Sequence, residues 1–267
     1  MKTIASLPLD IKLMNGVASA LFGVLVLMLL GTSLAYVQQL PLFAIRGVTV
    51  TGDVSHYNAI SLRANVMPRL QGTFFTLDLH AARQVFETMP WVRQAVVKRD
   101  FPNRLKVQLQ EHQAVAFWGV EGDSRLVNTF GEVFEANLGE LEQDDLPRLS
   151  GPEGQSAQVL AMLNTLQPRL APMELTLEQL ELTPRGGWRA QLDNGTALEL
   201  GSGSTDELLA RLERFLKTVT QATAHYNRSV EQLASVDLRH ADGYAIRLNG
   251  VSTVEADDMK KVIQGNR

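Results

Sequence analysis

The sequence has no cysteine in its 267 residues. Disulfides, thiolate zinc sites and cysteine nucleophiles are excluded together. A folded domain outside the cytoplasm would then rest on its apolar core alone, which is compatible with the bacterial periplasm. A basic excess is also missing: 25 Lys and Arg face 29 Asp and Glu, for a net charge of −4. Phosphate neutralisation needs concentrated positive charge, so nucleic acid is a poor partner and proteins remain open. Catalytic spacings are lacking too. The histidines are His56, His80, His112, His225 and His240, with no H-x-x-x-H pair among them. No serine sits in a Gly-x-Ser-x-Gly elbow. Gly201-Ser202-Gly203-Ser204 precedes a helix but lacks the lysine and spacing of a phosphate loop, so it reads as a helix-opening turn. Glu140, Glu142, Asp144 and Asp145 read as a solvated acidic loop, because acid–base carboxylates need burial. No catalytic residue, cofactor or metal is expected.

The most informative absence is charge between Lys12 and Arg46. The densest apolar part, Val17 to Val37, is long enough to cross a bilayer core, which takes about 20 helical residues. Tyr36 near its end suits the interfacial aromatic belt. Ser33-Leu34-Ala35 resembles a cleavage site, but the preceding run exceeds the roughly 7–15 residues of a signal peptide, so an uncleaved anchor is expected over 17–39. Lys2, Lys12 and the terminal amine, opposed by Asp10, place the tail 1–16 in the cytoplasm by the positive-inside rule. The remainder, roughly 225 residues, is large enough for a substantial core.

Ile45 to Thr51 reads as a strand, Ala59 to Leu70 as a helix, and His80 to Thr88 as a second helix capped by Asp78 and stopped by Pro90. Val92–Arg99 and Arg104–Glu111 alternate as two strands around Asp100-Phe101-Pro102-Asn103. Two helices should therefore cover one face of a three-stranded sheet. Further strands are expected at Ala114–Trp118, in a hairpin over Leu126–Phe134, and at Leu175–Thr183, Trp188–Leu192 and Ala197–Leu200, the last two joined by Asp193-Asn194-Gly195. Residues 137–154, acidic and then rich in proline and glycine, read as a loop. Ser156–Leu170 is an amphipathic helix, and the capping box Ser204-Thr205-Asp206-Glu207 opens a longer one. Ala234–Leu238 and Gly243–Leu248 are the last strands, and residues 250–267 a frayed tail.

Several segments in this order resemble the FtsQ/DivIB family of bacterial cell-division proteins. They are Gln71-Gly72-Thr73-Phe74-Phe75, the strand Pro90 to Arg99, Phe101-Pro102-Asn103-Arg104-Leu105, Leu146 to Gly154, and Val236-Asp237-Leu238-Arg239. The resemblance covers nearly the whole chain. It implies an α+β fold: a single transmembrane helix, a POTRA module (β-α-α-β-β) over 43–112, then a mixed β domain with two amphipathic helices over 113–249.

The resemblance also implies a function. Such proteins are non-enzymatic, bitopic scaffolds of the bacterial inner membrane at the division septum. They hold FtsB and FtsL in the periplasm and link early division proteins to septal cell-wall synthases. The family's partner surface would map to Arg239, His240, Asp242, Gly243 and Tyr244 at the last strand, with Arg185 from another loop. A strand edge accepts a partner strand through main-chain bonds, and an arginine adds a bidentate bond to a carboxylate. His240 stands where well-known members carry tyrosine. The recruitment strand of the POTRA module would carry Gln94, Val97 and Arg99, of which Val97 reads equally as core. Two other readings stay open. One is a POTRA-type assembly factor or chaperone, although residues 113–250 lack the ~10-residue alternating strands of a barrel. The other is an anchored hydrolase, which would need strongly shifted carboxylates in a deep pocket.

Overall fold

The computed structural model describes residues 9–57, 59–141, 145–240 and 242–251. The first eight residues of the expected cytoplasmic tail, Glu142 and Asp144 of the acidic cluster, Ala241, and residues 252–267 of the expected tail lie outside them. The chain divides into two compact units, Met1–Glu111 and His112–Arg267.

In the first unit, helix α1 (Leu9–Gln38) contains the apolar stretch Leu13–Gln38, none of it buried within the protein. A helix that is apolar all round and has no protein around it belongs in lipid. Strands β1 (Gly47–Asp53), β2 (Val92–Asp100) and β3 (Arg104–Glu111) form a sheet in the order β1-β3-β2, with β1 parallel to β3 and β2 antiparallel to it. Helices α2 (Ala59–Val66) and α3 (Leu79–Glu87) cover one face. The Asp78 side chain accepts from His80 N and Ala81 N, satisfying two of the free N–H groups at the start of α3. Leu62, Val66, Ala82 and Phe86 of the helices meet Ala95, Leu105, Val107 and Leu109 of the sheet. Burial of each of the larger side chains among them is worth about 2 kcal/mol of transfer free energy. The period of two in β3 continues to Glu111, which is therefore buried as well. Its carboxylate accepts from Ser55 N (3.0 Å) and His56 N (3.2 Å) and lies 2.9 Å from His56 Nδ1. The His56 ring stacks on Trp91 at 3.8 Å.

The second unit is built on one nine-stranded sheet, ordered β12-β11-β10-β9-β8-β7-β4-β5-β6. Its strands are β4 (Ala114–Trp118), β5 (Arg125–Asn128), β6 (Val133–Glu135), β7 (Arg148–Ser150), β8 (Leu177–Leu182), β9 (Trp188–Leu192), β10 (Ala197–Gly201), β11 (Leu233–Asp237) and β12 (Ala245–Leu248). Helices α4 (Ser156–Leu170) and α5 (Thr205–Ala224) supply Val159, Leu163, Leu166, Leu208, Leu212 and Phe215 to a single core with the sheet. Both halves of the expected capping box on α5 form, Ser204 N to Glu207 Oε2 and Glu207 N to Ser204 Oγ. The other face carries Arg189 between Glu199 (3.1 Å) and Glu181 (4.0 Å). Exposed cross-strand pairs of this kind are worth about 0.2–1 kcal/mol and favour the register.

One expectation is corrected. Residues 137–154 are not a loop throughout, because β7 lies within them, parallel to both β4 and β8. Three residues are too few to display a period. Only Leu149 of the strand is buried, and Pro147 and Gly151 flank it as turn residues. This short strand joins the β4-β5-β6 meander to the rest of the sheet.

Candidate functional site

The candidate site is the carboxy-terminal edge of the large sheet. Strand β12 pairs with β11 on one side and has no strand on the other among the described residues. Its main-chain groups on that side have no ladder to join, which is the condition for adding a partner strand. Alternation fixes the strand's two faces. Ala245 and Arg247 are exposed, whereas Leu248 is buried and Ile246 half-buried against the core. Tyr244, just before the strand, is half-buried. Its ring meets Phe215 edge-on at 5.3 Å, and its hydroxyl lies 2.8 Å from Thr218 Oγ1, so both contacts tie the strand's start to α5. The residue counted on sequence grounds as a partner contact is thus also an internal strap.

Arg239 is engaged internally as well. Its Nε donates to Asp237 Oδ1 at 2.9 Å, its terminal nitrogen to Oδ2 at 2.6 Å, and its backbone N to Oδ1 at 3.0 Å. The guanidinium, followed by the backbone bond, holds the Asp237 carboxyl down to about 2 against the cost of its burial. Asp237 likewise raises the Arg239 pKa. Such a fork shapes the turn out of β11 and leaves the Arg239 side chain as a whole largely exposed, at 61%. His240 and Asp242 are exposed on that turn, and Gly243 is half-buried. A Cβ on Gly243 would meet no other atom within 4 Å.

Arg185 lies in the β8–β9 turn, closed by Gly186 N to Thr183 O (2.9 Å) and Thr183 N to Gly187 O (2.8 Å). The pairings Trp188↔Gly201, Glu199↔Asp237 and Asp237↔Ala245 put this turn at the same end of the sheet as the β11–β12 turn. Strands β10 and β11 intervene between β9 and β12. At about 4.8 Å per strand, Arg185 is separated from β12 by roughly 14 Å. The fold therefore gathers Arg239, His240, Asp242, Gly243 and Tyr244 and leaves Arg185 apart on the same rim.

Gln94, Val97 and Arg99 do not share a face. Gln94 pairs with Gln110 on the open side of the first sheet, whereas Val97 and Arg99 pair with Val107 and Leu105 on the helix-covered side. Val97 packs against the core. Arg99 donates to the carbonyls of Phe74 (2.6 Å) and Leu77 (2.7 Å), fastening the loop before α3.

Among the described residues, the carboxylates of displaced acidity, Asp123, Asp193 and Asp237, are all lowered, chiefly by bonds to Arg125, Thr176 and Arg239 respectively. Asp123 and Asp193 sit on separate turns and Asp237 at the end of β11, and a lowered carboxyl is a poor general acid at neutral pH.

Known proteins align with this architecture across both units. A family model described as the POTRA domain, FtsQ-type, matches residues 43–112. A second, described as cell division protein FtsQ/DivIB, C-terminal, matches 116–239. The chain belongs to the FtsQ/DivIB family of cell division proteins. The cell division protein FtsQ of Thiomonas arsenitoxydans is 41% identical over 247 residues, covering 92% of this chain and 90% of the relative. That of Burkholderia pseudomallei is 38% identical over 253 residues, covering 94% and 98%. That of Bordetella pertussis is 33% identical over 257 residues, covering 90% and 92%. The C-terminal match ends at Arg239, so Asp242 to Leu248 lie beyond it.

The sequence pattern had not singled out the Tyr244–Thr218 bond, the Asp237 fork or the Glu111 cluster. Only Glu111 carried a local signal, because it occupies the buried parity of β3.

Proposed function

We propose that this cell-division protein is a non-enzymatic, bitopic scaffold that holds FtsB, together with FtsL, through the free edge of β12. In this reading the amino terminus is cytoplasmic and both folded units are periplasmic, at the septum. The orientation is supported by the positive charges that precede the apolar run, Lys2, Lys12 and the terminal amine. The observation that carries the reading is the β12 edge, unpaired among the described residues and held in place from behind by Tyr244, Ile246 and Leu248. An ordered edge avoids part of the conformational cost of binding. His240, Asp242 and Gly243 would flank the incoming strand, and Arg185 would meet a carboxylate of a partner running along the rim.

The test is capture of the periplasmic segment of FtsB by the full chain in detergent. Proline at Ile246 or at Arg247 removes a main-chain donor on alternate sides of β12. One of the two variants is expected to lose binding while the remainder of the sheet keeps its hydrogen-exchange protection. Wild-type capture by both variants would exclude strand addition at this edge.

A further inference from the structure

The end of α1 does not lead into a free linker. Thr73 Oγ1 donates to Gln38 O, in the last residue of α1, at 2.7 Å. Phe74 N donates to Phe43 O at 2.7 Å, and Ala44 forms a β-bridge with Thr73. The turn over residues 72–76 is therefore stapled to the chain as it leaves the helix. Arg46 N donates to Asn103 O, which brings the β2–β3 turn to the same place.

Aromatic rings gather there. Phe43 meets Phe75 at 4.9 Å, Phe75 meets Phe74 at 5.2 Å, and Phe74 meets Phe101 at 5.8 Å. Phe74 is buried, but Leu42 is 66% exposed, Phe75 44% and Phe101 74%. Scattered exposed apolar residues are ordinary, whereas a cluster around one point needs an occupant. Arg46 and Arg104 are exposed around this base, Arg99 is committed to the Phe74 and Leu77 carbonyls, and Asp100 and Asp78 are exposed acidic residues near it.

We infer that this base is a lipid-seating surface: Leu42, Phe75 and Phe101 enter the headgroup–acyl boundary of the leaflet into which α1 opens, and Arg46 and Arg104 face anionic phospholipid headgroups. The inference rests on α1 spanning the bilayer, and it does not depend on which partner β12 binds. Its physical basis is continuity. An anchor whose last carbonyl is bonded to the Thr73 turn holds that turn at the level where the helix leaves the hydrocarbon. Apolar side chains such as Phe and Leu settle at that headgroup–acyl boundary, and basic groups are attracted to anionic headgroups. The first unit would then have a fixed footing on the membrane.

The lack of cysteine makes the test clean. Single nitroxide labels are placed in the full chain by Leu42→Cys and Phe101→Cys. Leu25→Cys within α1 and Gln110→Cys, about 20 Å along β3 from Arg104, serve as references. Each variant is reconstituted alone into vesicles of phosphatidylcholine and phosphatidylglycerol. Collision with oxygen, enriched in lipid, is compared with collision with an aqueous nickel chelate. The labels at 42 and 101 are expected to shift from the aqueous order seen at 110 toward the lipid order seen at 25. Labels at 42 and 101 that match 110 would overturn the seating. So would protection that appears only when other membrane proteins are added, which would mark a protein contact. An aqueous label at 25 would overturn the anchor itself, and the two failures are thereby separate.

Discussion

Replacing Tyr244 by Phe removes one hydroxyl and leaves the ring against Phe215. The lost bond to Thr218 Oγ1, 2.8 Å long and part-exposed, is worth about 1 kcal/mol. That changes the closed-to-open ratio of β12 about fivefold, since 1 kcal/mol is about that factor at room temperature. Local opening governs exchange at a strand end, so amides of 244–251 should exchange about five times faster. Those of β8 and β9 should be unchanged. Thr218→Val should have a similar effect, and the double variant should exchange no faster than either single one, because one bond is lost in all three. Tyr244→Ala also removes the edge-on pair and its buried area, for about 2–3 kcal/mol in total. Hydrogen exchange read by mass spectrometry on the full chain resolves these differences. Additive effects in the double variant would mean that the bond is not what holds the strand. A Tyr244→Phe variant that fails to bind FtsB with unchanged exchange would mean that the hydroxyl contacts the partner rather than α5.

Three further outcomes are expected. Glu111→Ala strips the acceptor from Ser55 N and His56 N and should cost the first unit about 3 kcal/mol, read as accelerated exchange in β2 and β3, with Glu111→Gln losing less. Asp237, lowered to about 2, stabilises the folded form above its ordinary value near 3.8, and that contribution is lost as pH falls from about 4 through 2. Arg239→Ala should return the Asp237 titration, followed by NMR, toward the ordinary range, and should abolish the extra acid dependence of β11–β12 stability, about 1 kcal/mol after solvent screening. Gly131→Val should destabilise the second unit by about 3 kcal/mol or more, seen as a lowered thermal midpoint. Gly131 has φ +79°, and a Cβ there would lie 2.5 Å from Ala157 Cα at the start of α4.

The alternation in Leu105-Lys106-Val107-Gln108-Leu109 was enough to define β3, because a period of two is a local property of the chain. The capping box at Ser204, the Asp78 cap and the uncharged run before Arg46 were equally local, and each was legible because its partners lie within a few residues. The order of motifs along the chain also indicated the family. The candidate site was legible only as a stretch of residues. Arg239 could be named, but its fork to Asp237 could not, since the same arginine in a different turn would face solvent alone. Tyr244 could be named, but its bond to Thr218, 26 residues earlier, depends on how α5 lies over β12.

Sequence by itself determined the anchor, the helices, most strands and the family. The first three follow from composition or short-range periodicity, which act before any distant contact forms, and the family from the resemblance of its ordered motifs. Tertiary structure alone decided three things. β7 exists because two neighbouring strands supply its hydrogen bonds, and Leu149 alone could not specify it. The central place of β3 follows from its parallel pairing with β1, more than 50 residues away, which no local pattern encodes. The gathering of Phe43, Phe74, Phe75 and Phe101 at the foot of α1 depends on three separate segments meeting, and only closure of the fold brings them together.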